Sequence, residues 1–307
     1  MLHILQTALE LGFLYALIPM ALFLSFRVLD IADMTTDGCF VLGTAVSVTM
    51  AAAGHPFLAI PAAMAAGVCA GFVTAFLQTR LGVPSILAGI VTNMGLYTIN
   101  LMVMKWSANV SLLKTATIFT LFQQTGIGGQ WYEALLAGAV VILAGILLVL
   151  FLGTRLGLSI RATGDNIDMV RASSVNPTFT ITVGLCVANA LTALSGAMVG
   201  QYQNTADING GTGIVVIGLA CLIIGETVLG RKSVVKGALA AVIGSIIYRF
   251  IYAIVLYTKI MPVQGLKLVT AVIVALAIAF PTIKNWVAFQ QKKSARKKTY
   301  AAKGGRS

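Results

Sequence analysis

Few residues in this 307-residue chain could do chemistry, and they fall into three groups. Asp30, Asp33, Thr35, Thr36 and Asp37 bring carboxyl and hydroxyl oxygens close together, a set suited to holding a polar solute or ion. Arg161, Asp165, Asp168 and Arg171 alternate charge on a polar island, a set suited to ionic docking. Glu226 and Arg249 are single charges inside apolar sequence. None of the three supplies a nucleophile with a base. The only histidines are His3 and His55, and neither falls in an apolar run where it could activate Ser195 of the Ala193-Leu-Ser195-Gly196 stretch. That stretch reads as a small-residue packing face. Cys39, Cys69, Cys186 and Cys221 are isolated in apolar sequence without metal-ligand spacing, so they read as small buried hydrophobes. No catalytic or metal site is expected.

Gly225-Glu-Thr-Val-Leu-Gly230-Arg231-Lys232-Ser233 nearly matches a phosphate-binding loop, but Arg231 displaces the lysine by one place and no strand–helix unit surrounds it. Gly230 reads instead as a helix end. If ATP is used, another chain binds it.

The elements that must position these groups are membrane helices. The chain is 58% hydrophobic and 10% charged, whereas soluble domains carry about 25% charged residues. A span needs about 20 mostly apolar residues, and runs of that size recur. The reading is an all-α polytopic bundle of nine spans. They cover about 4–26 (containing Pro19, where a kink is expected), 39–53, 57–78, 82–104, 131–152, 178–201, 213–229, 237–257 and 265–280. The first lacks a basic leader and reads as a span rather than a signal peptide. The second is short, and with Arg27–Gly38 before it suggests a discontinuous helix lining a pathway. A plain loop with Asp37 capping the next helix is the alternative. Gly67 with Gly71, and Gly196 with Gly200, are spaced for close helix contact. Residues 1–283 form the transmembrane domain and 284–307 a basic tail.

Lys292, Lys293, Arg296, Lys297, Lys298, Lys303 and Arg306 crowd that tail and contribute to the net charge of +12. Beside a span, such a block fixes topology and touches anionic lipid rather than nucleic acid. With the tail inside, nine spans place Arg231, Lys232, Lys236, then Arg155, Arg161, Arg171, then Arg80 and Arg27 on inner loops, and the N-terminus outside.

The polar island at 153–177 is therefore a cytoplasmic loop. Asp165 is the expected N-cap of a short helix from about Asn166 to Ser174, with Asp168 in its first turn and Arg171 in its last. Asn176-Pro177 reads as the cap and first residue of the following span. So short a helix needs something to rest on.

Ser159-Ile-Arg161-Ala-Thr-Gly164-Asp-Asn166, with Arg171-Ala and Val175-Asn176 after it, resembles the cytoplasmic loop of ABC-importer permeases of the branched-chain amino acid/ribose type. Gly218–Gly225 and Gly230–Gly237 resemble that family's second glycine-rich signature. Phe26–Gly38 and Leu81–Gly89 are similar to a subgroup labelled as tryptophan or tyrosine importers. The likeness runs through nearly the whole chain; Thr163 departs where a small aliphatic residue is common. It implies a homodimeric permease with two ATPase subunits carrying ATP and Mg, an extracytoplasmic solute-binding protein, and no cofactor in this chain. It also implies an ATPase-coupling helix at Arg161, Gly164, Asp165, Asn166, Asp168 and Arg171.

The chain is thus expected to be a non-catalytic importer subunit for a small solute such as an aromatic amino acid. Its path is expected to be lined by Asp33, Thr35, Thr36, Asp37, Asn93 and Asn189. The rival expectation is a self-sufficient secondary transporter or channel using Asp37, Glu226 and Arg249 as a relay.

Overall fold

The computed structural model describes residues 2–112, 115–124, 126, 129–230, 233–257, 268, 270–276 and 279. Met1–Lys259 form one structural unit and Ile260–Ser307 a second, within which residues 270–276 are helical. The basic pair Arg231–Lys232, Lys114, part of the expected ninth span and the tail at 284–307 lie outside the described residues.

The apolar runs become helices: α1 (Leu2–Leu22), α2 (Thr36–Ala52), α3 (Pro56–Thr79), α4 (Ser85–Val103), α5 (Ile118–Gln124), α6 (Tyr132–Gly153), α7 (Arg155–Asp165), α8 (Ile167–Ala172), α9 (Pro177–Gln203), α10 (Ile214–Leu229) and α11 (Val234–Tyr257). Six helical segments are long and apolar enough to cross a membrane, beginning with 3–28 and ending with 234–257; α2 and α10 are shorter apolar helices. At 17 and 16 residues, each reaches only about 24–26 Å at 1.5 Å per residue, against a hydrocarbon core of about 30 Å. Of the nine expected spans, the described residues show six long apolar helices and two short ones, the second span being short as expected.

Helix α1 runs through Pro19 without ending and passes into a π-helical segment, Phe23–Val28. There Leu29 donates its N–H back five residues to Leu24 at 3.0 Å. Residues 29–35 then leave helical geometry before α2 begins, so the expected discontinuity is present. Asp30 turns the chain at φ 55°, a left-handed conformation that short polar side chains tolerate better than branched ones. The architecture is all-α except for a ribbon of β1 (Asn109–Ser111) and β2 (Thr205–Asp207), antiparallel with Val110 opposite Ala206.

Helix α9 is the central post. Its buried positions run almost without break from Ala188 to Gln201, so it is apolar all round, as a fully enclosed helix must be. It packs along α2 and α3 through small residues. A side chain added at Gly71 would sit 2.6 Å from the Leu185 carbonyl oxygen, and one at Gly67 would lie 2.6 Å from that of Asn189. Gly196 meets the Phe40 carbonyl in the same way. Such backbone contacts replace the hydrophobic drive that lipid removes. The outer side of α3, α4 and α6 keeps large apolar groups exposed, among them Phe72, Leu87 and Leu147.

Overpacking a tight interface costs about 1–3 kcal/mol. Gly71→Val is expected to lower the melting temperature of the detergent-purified protein by an amount of that order. Gly95→Ala is the comparison, since nothing lies within 4 Å of its added carbon; it should leave the melting temperature unchanged or raised.

Candidate functional site

The break between the π-helical segment and α2 is held by one carboxyl. Asp33 is 2% exposed. Its Oδ1 accepts the Thr35 backbone N–H at 2.9 Å, and its Oδ2 accepts Asn189 Nδ2 from α9 at 2.7 Å. Thr36 Oγ1 donates to the Asp33 carbonyl at 3.3 Å, and the Thr35 and Thr74 hydroxyls share a hydrogen bond of 2.8 Å. Asp33, Thr35, Thr36 and Asn189 are thus buried inside the bundle, where they brace the break. Gly89 of α4 gives the Met34 backbone room to pass.

Asp37 does something different again. It sits in the first turn of α2, yet the N-cap there is Thr35, without a side-chain bond. Asp37 instead accepts Val215 N–H at 2.8 Å on Oδ1 and Gly213 N–H at 3.0 Å on Oδ2. It therefore caps α10, whose first N–H groups and positive dipole end favour a carboxylate. The capping alternative was right in kind but pointed to the wrong helix. Asp37 and Asn93 border a cavity of about 390 Å³ between α2, α4 and the 208–212 loop, together with Gly38, Tyr97 and Asn100. Of the six expected path residues, these two reach that cavity.

The polar island folds as two helices. Thr154 Oγ1 caps α7 by accepting the Gly157 N–H at 3.2 Å. Asp165 is the last residue of α7, and Asn166 Oδ1 caps α8 by accepting Asp168 and Met169 N–H at 3.0 Å each. The cap is thus one residue later than expected, because α7 continues through Asp165. The short helix also ends at Ala172 instead of Ser174. Asn176 Oδ1 accepts Thr178 N–H at 3.0 Å with Pro177 in the first turn of α9, as the sequence predicts.

Arg161, Asp165, Asn166, Asp168 and Arg171 are exposed. Asp168 and Arg171 approach to 3.6 Å, a surface pair of little energetic weight. The buried side holds Ile160, Thr163 and Val170. Thr163 bonds Thr180 of α9 at 2.8 Å, so its departure from an aliphatic residue has a partner. Gly164 lies against the Val28 carbonyl, where any Cβ would collide with backbone. The charged face is free while its back is fastened to α9 and to the π-helical segment.

Sequence reading missed the ion pair beside it. Arg27 Nε and Nη2 reach the two Glu226 oxygens at 2.8 and 2.7 Å, a bidentate geometry. The two lie 199 positions apart, beyond any local pattern. With Arg161, Asp165 and Ser233 they border a polar recess of about 350 Å³. The Arg249 guanidinium lies 3.7 Å from the Tyr15 ring centroid. Asp37 and Glu226 sit at opposite ends of α10, roughly 18 Å apart by helix rise. Asp37, Glu226 and Arg249 each engage other partners and form no relay chain.

A helical bundle with a sealed discontinuous helix, a small polar cavity and a projecting charged helix pair defines a multi-pass membrane transport subunit. Its residues 4–281 match the model of the branched-chain amino acid transport system / permease component family, and the chain belongs to that family. It is 31% identical over 265 residues, 86% of each chain, to a tyrosine transport system permease protein of Clostridioides difficile (strain R20291). It is 30% identical over 281 residues to an uncharacterized protein of Rickettsia prowazekii (strain Madrid E), covering 90% of this chain and 97% of that one. No solved structure matches.

Removing one partner of a buried carboxyl leaves it undersatisfied at about 1–3 kcal/mol. Asn189→Ala should therefore destabilise the purified protein by that amount. In a double-mutant cycle with Asp33→Asn, the two losses should fall short of additivity by at least about 0.5 kcal/mol, read from unfolding midpoints.

Proposed function

We propose that this chain is the membrane-spanning subunit of an ATP-driven importer that carries an amino acid, tyrosine or a similar aromatic one, across the cytoplasmic membrane. Two copies would enclose the path, two ATPase subunits would bind the charged faces of α7 and α8 with their ATP and Mg, and an extracytoplasmic binding protein would deliver the solute. The basic tail and the inner-loop arginines support a cytoplasmic C-terminus and an outward N-terminus. The relative that transports tyrosine supports the substrate class.

One observation carries this reading: a charged surface on α7–α8 is left open while its back is fastened to α9 and the π-helical segment. Gly164 against Val28 couples α7 to the π-helical segment, and that segment leads directly into the Asp33 brace. π-helical turns recur where helices must adjust. A partner shifts an equilibrium only through contacts that differ between its states. Closure of the ATPase pair against Arg161 and Asp165 would supply such contacts, and the π-helical segment would pass the displacement to the break at 29–35.

Arg161→Glu combined with Asp165→Arg should reduce co-purification of the ATPase at least tenfold and abolish ATP-dependent uptake, with the melting temperature of the permease unchanged. Unaltered binding and uptake would overturn the docking assignment. Uptake by the chain alone in proteoliposomes, driven by an ion gradient without ATP, would overturn the importer reading in favour of a secondary transporter.

A further inference from the structure

Along α4, Asn93, Tyr97 and Asn100 recur at i, i+4 and i+7, so they share one face, and that face borders the cavity beside Asp37. Asn100 is 1% exposed. Its Nδ2 donates to the Gly38 carbonyl at 3.1 Å. That bond fixes which way the amide points, because exchanging oxygen and nitrogen would set two carbonyl oxygens against each other. Its Oδ1 is buried and has no hydrogen-bond partner among the described residues. A buried acceptor left without a donor costs about 1–3 kcal/mol, and native structures avoid such groups unless they serve something.

The charge on the wall narrows what could supply the donor. Asp37 is the one formal charge among the residues bordering the cavity, and no lysine, arginine or histidine accompanies it. Both Asp37 oxygens hold a backbone N–H of the α10 cap, which pins the carboxylate in place. A carboxylate has about four acceptor positions, and the N–H groups of Gly213, Ile214 and Val215 do not exhaust them. The volume of about 390 Å³ lies within the range of small-molecule sites. Val41, Met94 and Ile208 give the same cavity an apolar side, and the Tyr97 ring can face a cation.

We propose that this cavity is a substrate-contact site that receives the ammonium group of an amino acid, with Asn100 Oδ1 and the Asp37 carboxylate as its acceptors. The proposal rests on the importer reading above and adds the part of the substrate that is recognised. A free anion without an ammonium group meets the like charge of Asp37 there, with only the neutral donors of Asn93, Tyr97, Asn209 and Thr212 to offset it. An amine without a carboxylate keeps the contacts that matter. The site therefore discriminates at the amino end of the solute.

The test uses the permease with its ATPase subunits in lipid nanodiscs, without the binding protein, so that recognition by the membrane subunit is read alone. Saturation-transfer NMR would compare tyrosine, tyramine and 3-(4-hydroxyphenyl)propionate, which differ only in which of the two end groups they carry. Tyrosine and tyramine should bind at least tenfold more tightly than the propionate. Asn100→Leu should weaken tyrosine at least fivefold in protein whose melting temperature still shows a folded bundle. Equal binding of the propionate, or no binding by any of the three, overturns the proposal on the wild-type protein with no variant needed. Tyrosine affinity unchanged in folded Asn100→Leu overturns the role of Asn100, whose oxygen would then be bonded by water alone. ATP-dependent tyrosine uptake by the full assembly, measured in parallel, separates the two levels. If uptake proceeds and the site comparison fails, only this proposal falls; if uptake is absent, the importer reading falls with it.

Discussion

An unwound stretch of backbone inside a membrane protein must find hydrogen-bond partners within the protein, since hydrocarbon offers none. Residues 29–35 meet that constraint through a single carboxyl. Asp33 ties the stretch to its own next turn through Thr35 and to α9 through Asn189, and the Ile31 N–H reaches back to the Ser25 carbonyl at 2.9 Å. Once that brace is set, α2 starts where it does, Asp37 lies within reach of the α10 N-terminus, and Gly38 presents its carbonyl to Asn100. The cavity is a consequence of how the break is closed.

The same break explains why the chain spends glycine so freely around α9. A post contacted by α2, α3 and the end of the π-helical segment can be approached closely only by backbone. Large residues are accordingly pushed to the outer surfaces of α3, α4 and α6, where lipid accepts them. Polar groups then concentrate at the two ends of the bundle: the Asp37–Asn93–Asn100 cavity at one end of α10, and the Arg27–Glu226 recess beside α7 at the other.

Much of this was legible in the sequence because it is local. Helix positions follow from apolar runs, the Asn176-Pro177 entry into α9 from capping chemistry, and the close packing of α3 on α9 from the Gly67–Gly71 spacing. The polar island was readable as helical and charged, yet its cap fell one residue off because Asp165 and Asn166 are both good caps. Only the reach of α7 decides between them. What stayed hidden depends on distant pairing. Nothing near Asp37 indicates that it caps a helix 176 positions later, and nothing near Arg27 names Glu226. Asn100 is an ordinary polar residue in a span until the fold shows that one of its two amide atoms is satisfied and the other is not.

The contact between Arg249 and Tyr15 bears on how the molecule is made. Inserting a lone arginine near the centre of a helix costs about 2.5–3.5 kcal/mol on insertion scales, and stacking on an aromatic ring returns about 0.5–2 kcal/mol of that. Ser245 adds a hydrogen bond of 2.8 Å from α11 to the Gly12 carbonyl of α1. Because α1 precedes α11 in the chain, the Tyr15 ring is synthesised before the arginine that stacks on it, so chain order and packing agree.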